Sequence, residues 1–380
     1  MNRLVKMTWI MACFFMASAP LQAGNCESAQ TVMTKSFPVS ENATLKIDNI
    51  YGKIVISEWD KNEIVITVTI AATAKRQSAA QELVNKVVVD FKHDGNIVSA
   101  KTNCPALKSK CNCTYWIDYQ VSVPKNIHYD LKNKFRDIIM ENATGDVTVS
   151  LMYGDFSGNE FSGNSKIDVS HGQFSVKKLS GLKNELTLTG TCCKKKASIS
   201  EAKNLKINVK QSDLYIGTVE HLSIENANTD VQILKAEKIE LGRTFYGKYE
   251  IGEVKELSSI NNNSWYAKFD INRFTGTLSL SDLTYCNIII RNVMPSFENI
   301  ILEDVRRTPI KMTLDASIVS CQLATSVKGG ELKVEVPKTN IPPFTSKDPV
   351  LVSGAFGDKE SPKSVIKLKT EDCKININQL

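Results

Sequence analysis

Apolar and polar residues alternate along most of the chain in short runs, and the runs return in phase. Tyr51-Gly52-Lys53-Ile54-Val55-Ile56 states the unit most clearly. Tyr153-Gly154-Asp155-Phe156, His171-Gly172-Gln173-Phe174-Ser175-Val176 and Tyr246-Gly247-Lys248-Tyr249-Glu250-Ile251 restate it. With the glycine as anchor, degenerate copies fall at Arg136, Lys195, Ser212, Thr229, Ala267, Cys286, Thr308, Gly330 and Cys373. Neighbouring anchors are mostly about 17 to 23 residues apart, the range of stacked repeat proteins. The position two after the anchor is apolar or aromatic in every copy, from Ile54 through Phe156, Leu214 and Tyr249 to Ile375. The position four after it, from Ile56 to Ile377, departs only at Gly158. The residue between is often polar, so the run is a strand with one buried face.

A second strand precedes the anchor, as in Leu45 and Ile47, Leu205 and Ile207, Leu222 and Ile224, or Ile366 and Leu368. One strand–turn–strand unit cannot bury its own apolar face, whereas stacked units share a continuous core. The expected fold is therefore all-β: a single-stranded, β-helix-like β-solenoid with repeats of about 18–20 residues. An antiparallel sandwich also has short alternating strands. It does not normally keep two apolar positions in phase over so many copies. The anchor glycine is read as a bend where a Cβ is costly, with Ser and Thr replacing it as turn residues.

Two gaps interrupt the rhythm, from Gly52 to Arg136 and from Gly330 to Cys373. Within the first, residues 63–70 alternate as a strand, Gln77 to Asn85 reads as a helix, and Val87-Val88-Val89 and Tyr119 to Val123 read as strands. Residues 24–127 are accordingly expected to form the first coil plus an α+β cap, since a bare end would expose strand edges. Residues 128–380 form the solenoid, with an exposed, proline-rich excursion at 337–362.

The N-terminus sets the compartment. Arg3 and Lys6 precede an uncharged, mostly apolar run from Met7 to Ala19, and Leu21-Gln22-Ala23 ends on a small residue. Residues 1–23 read as a secretory signal peptide, too short and wrongly flanked for a membrane anchor. The mature chain then begins near Gly24 and is exported to the periplasm or cell surface. Cys13 and Cys26 are the candidate lipidation points, and contact with a membrane is expected only if one is used. The net charge of +6 is dispersed. No basic stripe interleaved with aromatics appears, and nucleic acid is not an expected partner. Ten cysteines include Cys13 in the leader, leaving an odd number. Export permits disulfides. Cys104 is expected to pair with Cys111 or Cys113, and Cys192-Cys193 are vicinal. Metal-ligand spacing is absent, and neither a metal nor a cofactor is expected.

Candidate chemistry is sparse. Asp137 with Asp155, and Asp213 with Asp230, occupy equal repeat positions and would stack at about 4.8 Å. Such pairs suit acid–base work or calcium, yet an Asp at a turn also serves its own backbone. No nucleophile elbow or phosphate-binding loop is present. The position before the anchor is more informative. It holds Phe135, Tyr153 and His171 on consecutive coils, and Tyr246, Tyr266 and Tyr285 on three more. Outward-facing ladders there would make a platform for sugar rings or a partner protein. Ladders turned inward or partly buried would be ordinary sheet stabilisers, and that orientation is the one the sequence favours. Trp265 and Asn261-Asn262-Asn263 add binding chemistry at the same corner.

The segment from Leu45 to Ile56, followed by Trp59 and Asn62-Glu63, resembles the opening of the bacterial "putative adhesin" family of unknown function, itself similar to the GIN head domain. The resemblance continues at Asp94-Gly95-Asn96, Tyr119 to Pro124 and Thr144 to Val147, and closes at Lys369 to Ile375, where the family more usually has Gly than Cys373. It implies an envelope β-solenoid of Bacteroidetes-type bacteria and supplies no catalytic residue. The expected function is a non-catalytic surface or envelope module that binds a glycan or a protein. A structural protein assembling through its edges is the alternative, and a polysaccharide-active β-helix enzyme is third.

Overall fold

A computed structural model describes residues 26–105, 113–190, 196–260, 263–318, 320–337, 339, 341–345, 348–357 and 364–380. The leader, Cys13, Cys111, Cys192, Cys193, Lys195, Asn261 and Asn262 therefore lie outside the described residues. The protein is nearly all β, with its strands joined in one large hydrogen-bonded sheet and a helix at Gln77–Asn85.

The in-phase apolar rows become columns because neighbouring runs pair parallel and in register. Ile199, Ile216, Ile233, Ile251, Ile271 and Ile290 are successive partners, all buried. The preceding strands pair likewise, from Leu205 to Leu222, Ile239, Leu257, Leu278 and Ile300. Branched aliphatic side chains thus pack on similar neighbours above and below, which suits the pleated surface. Gly158 breaks the column for a local reason. A Cβ there would lie 2.5 Å from Cζ of Phe161, whose buried ring occupies that space.

The first gap is filled by further strands and the helix. Strand Thr44–Ile50 lies between Ile97–Asn103 and His128–Lys134, parallel to both. Ile54–Trp59 likewise lies between Thr114–Pro124 and Ile138–Met140. Glu63–Ala74 then runs antiparallel to Thr114–Pro124 and to Glu27–Pro38. The helix over Gln77–Asn85 buries Ala80 and Val84, with Ala79 and Leu83 partly buried beside the core.

The second gap departs from expectation. Among the described residues of 337–362, Pro349–Gly357 is a strand antiparallel to Ser320–Glu335, and Phe344–Thr345 pairs with Glu331 and Leu332. Pro349 stands first in its strand, where the lost N–H is tolerated. The C-terminal strand Val365–Gln379 is moreover inserted out of chain order. It pairs with Asn299–Arg306 and Ile310–Leu314 on one side and with Ser320–Glu335 on the other.

The expected pairing of Cys104 is also corrected. Cys104 is a free thiol, whereas Cys113 is disulfide-bonded. Both side chains pack against the core, and burial pushes the Cys104 thiol up to about 11. Loop spacing alone did not register that the Cys104 side chain is committed to packing.

Candidate functional site

The most ordered surface chemistry runs along one corner of the stack, and its backbone explains it. Tyr51, Phe135, Tyr153, His171, Tyr246, Tyr266 and Tyr285 all have positive φ, between 50° and 69°. The left-handed residue is therefore the aromatic, not the glycine after it. A non-glycine residue in that region is costly, so each corner must be held from outside. The N–H of each donates to the coil beside it: Phe135 to the Met152 carbonyl at 2.8 Å, Tyr153 to Ser170 at 2.9 Å, His171 to Thr189 at 2.9 Å, and Tyr266 to Thr284 at 3.2 Å. Gln211 and Asn228 continue the column, at φ 51° each.

The anchor glycine has a different task. A Cβ on Gly172 would sit 1.7 Å from the Gly154 carbonyl oxygen, and one on Gly154 would sit 2.2 Å from that of Arg136. Close backbone approach, rather than unusual φ, requires glycine in these coils. Where Ser212, Thr229 and Thr308 stand instead, the side chain is buried, not exposed as in a turn. The Ser212, Thr229 and Thr308 hydroxyls each donate to a carbonyl two residues back.

Apart from Tyr51, which packs partly buried against the core, the aromatics reach solvent rather than turning inward. Phe135, Tyr153, Tyr246, Tyr266 and Tyr285 are between 39% and 60% exposed, and His171 is exposed too. A left-handed corner residue is released from the in–out alternation of the strands around it, so periodicity could not assign its side. The rings stack on each other. Tyr51 and Phe135 are 5.4 Å apart, Phe135 and Tyr153 5.5 Å, and Tyr153 and His171 5.0 Å. The second ladder places Tyr246 5.0 Å from Tyr266 and Tyr266 5.2 Å from Tyr285, each pair within 4° of parallel. Stacking ring on ring covers the faces within each ladder. The expected platform for sugar stacking is thus replaced by a row of ring edges and phenolic hydroxyls.

Arg307 closes the second ladder. Its guanidinium lies 5.3 Å from the Tyr285 ring centre, donates to the Tyr285 hydroxyl, and sits 3.8 Å from Asp372. Arg307 and Asp372 both carry the corner's positive φ, a continuation that sequence reasoning missed because neither is aromatic. Trp265 lies beside the ladder rather than in it. It pairs with Phe245 on one neighbouring strand and Thr284 on the other, and its indole N–H donates to the Asn263 amide oxygen.

The candidate carboxylate pairs do not behave as acid–base pairs. Asp137 accepts from the Asp155 N–H at 2.9 Å, Asp155 from Gln173 N–H at 2.8 Å, and Asp230 from Lys248 N–H at 3.2 Å. Each carboxylate ties one coil to the next. Asp213 supplies its carbonyl to the Ala197 N–H at 2.8 Å. Among the described residues no cluster of three or more His, Cys, Asp or Glu could hold a metal. No described helix is long and apolar enough to cross a membrane.

No family model matches the chain, and no curated protein does. Several solved structures are similar. A putative adhesin from Bacteroides fragilis NCTC 9343 is 12% identical, with 63% of this chain and 97% of that chain covered and a TM-score of 0.34. A putative cell adhesion protein from Clostridium sporogenes ATCC 15579 is 10% identical, with 93% and 100% covered and a TM-score of 0.19. A putative lipid binding protein from Parabacteroides distasonis ATCC 8503 is 11% identical, with 93% and 97% covered and a TM-score of 0.25. Scores this low carry no argument about function.

Proposed function

We propose that the chain is an exported, non-catalytic binding module of the bacterial envelope: a β-solenoid whose capped coils present an ordered corner to a glycan or protein. The single observation behind this reading is the exposure of two aromatic ladders on backbone that is costly to hold. Exposed aromatic patches mark interaction sites, and rings fixed before contact lose little freedom on binding. The leader would deliver the protein to the periplasm or cell surface, and lipidation at Cys26 would add a membrane tether.

The test is a binding screen of the mature protein against a glycan array and envelope fractions, repeated with Tyr246→Asn, Tyr266→Asn and Tyr285→Asn combined. Asn tolerates the left-handed region, so the fold should persist by circular dichroism while binding falls. Unchanged binding in the folded triple variant would defeat the reading. A second reading is assembly through edges. It is favoured by the strand Glu27–Pro38, which pairs only with Glu63–Ala74 among the described residues and leaves a long edge of the kind that templates further strands.

A further inference from the structure

We propose that the corner row of Gln211, Asn228, Tyr246, Tyr266, Tyr285 and Arg307 is a ruler for an extended, uncharged polysaccharide that lies along the stack with one sugar per coil. This rests on the binding-module reading and specifies its ligand. The row is continuous because each of the six residues has positive φ, between 48° and 56°. Five of the six are tied by N–H to the next coil over distances of 2.8 to 3.2 Å, from Asn228 to Phe245 through Tyr246 to Trp265. The sixth, Arg307, donates to the Glu371 carbonyl at 2.9 Å. One amide, phenol or guanidinium is therefore offered per coil, always at the same corner.

The geometry selects the contact. With ring centres at 5.0 and 5.2 Å and planes within 4°, no ligand ring can slip between neighbours. What solvent meets is a file of hydrogen-bonding groups. No hydrogen bond among the described residues engages the Tyr246 or Tyr266 hydroxyl, while that of Tyr285 receives one from Arg307.

The period selects the polymer. An extended peptide advances by about 3.3 Å per residue, and a polyproline II segment by about 3.1 Å. Neither places one residue on each coil, although three residues of either span about two coils. An equatorially linked hexopyranose chain advances per sugar by close to the 5.0 and 5.2 Å that separate neighbouring rings, and brings fresh hydroxyls at each step. Charge narrows the choice. Five of the six side chains are neutral, and the sixth is offset by Asp372 at 3.8 Å, so a polyanion gains little here.

The experiment titrates the mature protein by calorimetry with β-1,4-linked glucose oligomers from dimer to hexamer, and with the matching α-1,4 series, whose chains curve away. Affinity for the β-1,4 series should rise by about tenfold or more from dimer to hexamer and stay negligible for the α-1,4 series. Tyr246→Phe with Tyr266→Phe keeps the stacking and removes the hydroxyls, so it should weaken hexamer binding by about tenfold. Lys92→Ala, an exposed change on the strand Val88–Asp94 away from both ladders, should leave it unchanged. Affinity independent of length, equal binding of both series, no binding of any β-1,4 oligomer, or an indifferent double Phe variant would each overturn the proposal. If it fails in this way while the triple Asn variant still loses binding in the broader screen, the module reading survives and only the ligand class falls.

Discussion

At the residue scale, the corner shows how a local conflict is resolved by its surroundings. Seven aromatic residues take a backbone conformation that L-residues avoid, and inter-coil hydrogen bonds hold them there. The spacing of these rings was legible in the sequence; their exposure was not, because alternation fixes a side chain's face only within a strand. A second residue-scale feature was invisible for the same reason. Glu58 ends an inward-facing run after Ile54 and Ile56, and its Oε1 is buried with no hydrogen-bond partner among the described residues. Burial pushes its carboxyl above the usual range, Lys125 opposes this, and Glu141 adds to it. A carboxyl raised in the folded state contributes stability below its unfolded value, and that contribution is lost as pH rises through the folded one. Glu58→Gln should therefore gain urea resistance over the natural chain near pH 7.5 and show little gain near pH 4. Equal midpoints for the two proteins at both pH values would contradict the buried, unpartnered carboxylate.

At the element scale, period-two apolar runs located the repeating strands well, and the helix over Gln77–Asn85 was legible from its grouped apolar side. The order of the last rungs was not. Pairing partners are normally inferred from neighbours in sequence, yet Val365–Gln379 inserts between Ile310–Leu314 and Ser320–Glu335. Its apolar residues would fit any rung, so polar contacts distinguish the seat: Cys373 Sγ accepts from the Thr308 N–H, and charge adds to this. Lys367 meets Glu303 at 3.0 Å, Lys369 meets Asp304 at 2.8 Å, Glu371 meets Lys328 at 2.8 Å, and Lys374 meets Glu331 at 3.2 Å. Each exposed pair is worth only about 0–1 kcal/mol, but together they disfavour a shifted register. Ending the chain at residue 364 should leave the strand Ser320–Glu335 without its parallel partner. Limited proteolysis is then expected to cut between residues 314 and 357 much faster than in the full chain. Unaltered resistance there would mean that Ser320–Glu335 can seat directly on the preceding rung.

At the scale of the whole molecule, parallel in-register pairing carries most repeated positions from one strand to the next, so a row of side chains on the surface follows the core beneath it. The ladders, the carboxylates that tie coil to coil, and the proposed ruler all depend on that register. It can be measured in solution by double electron–electron resonance with spin labels at Ser175→Cys and Lys311→Cys, with competing thiols replaced. The two positions are linked through Ser198, Tyr215, Gln232, Glu250, Asp270 and Ile289 by successive parallel pairs. Seven steps at about 4.8 Å give a label separation of about 34 Å. A single narrow distribution near that distance is expected; a broad one, or one centred well below it, would contradict the in-register stack.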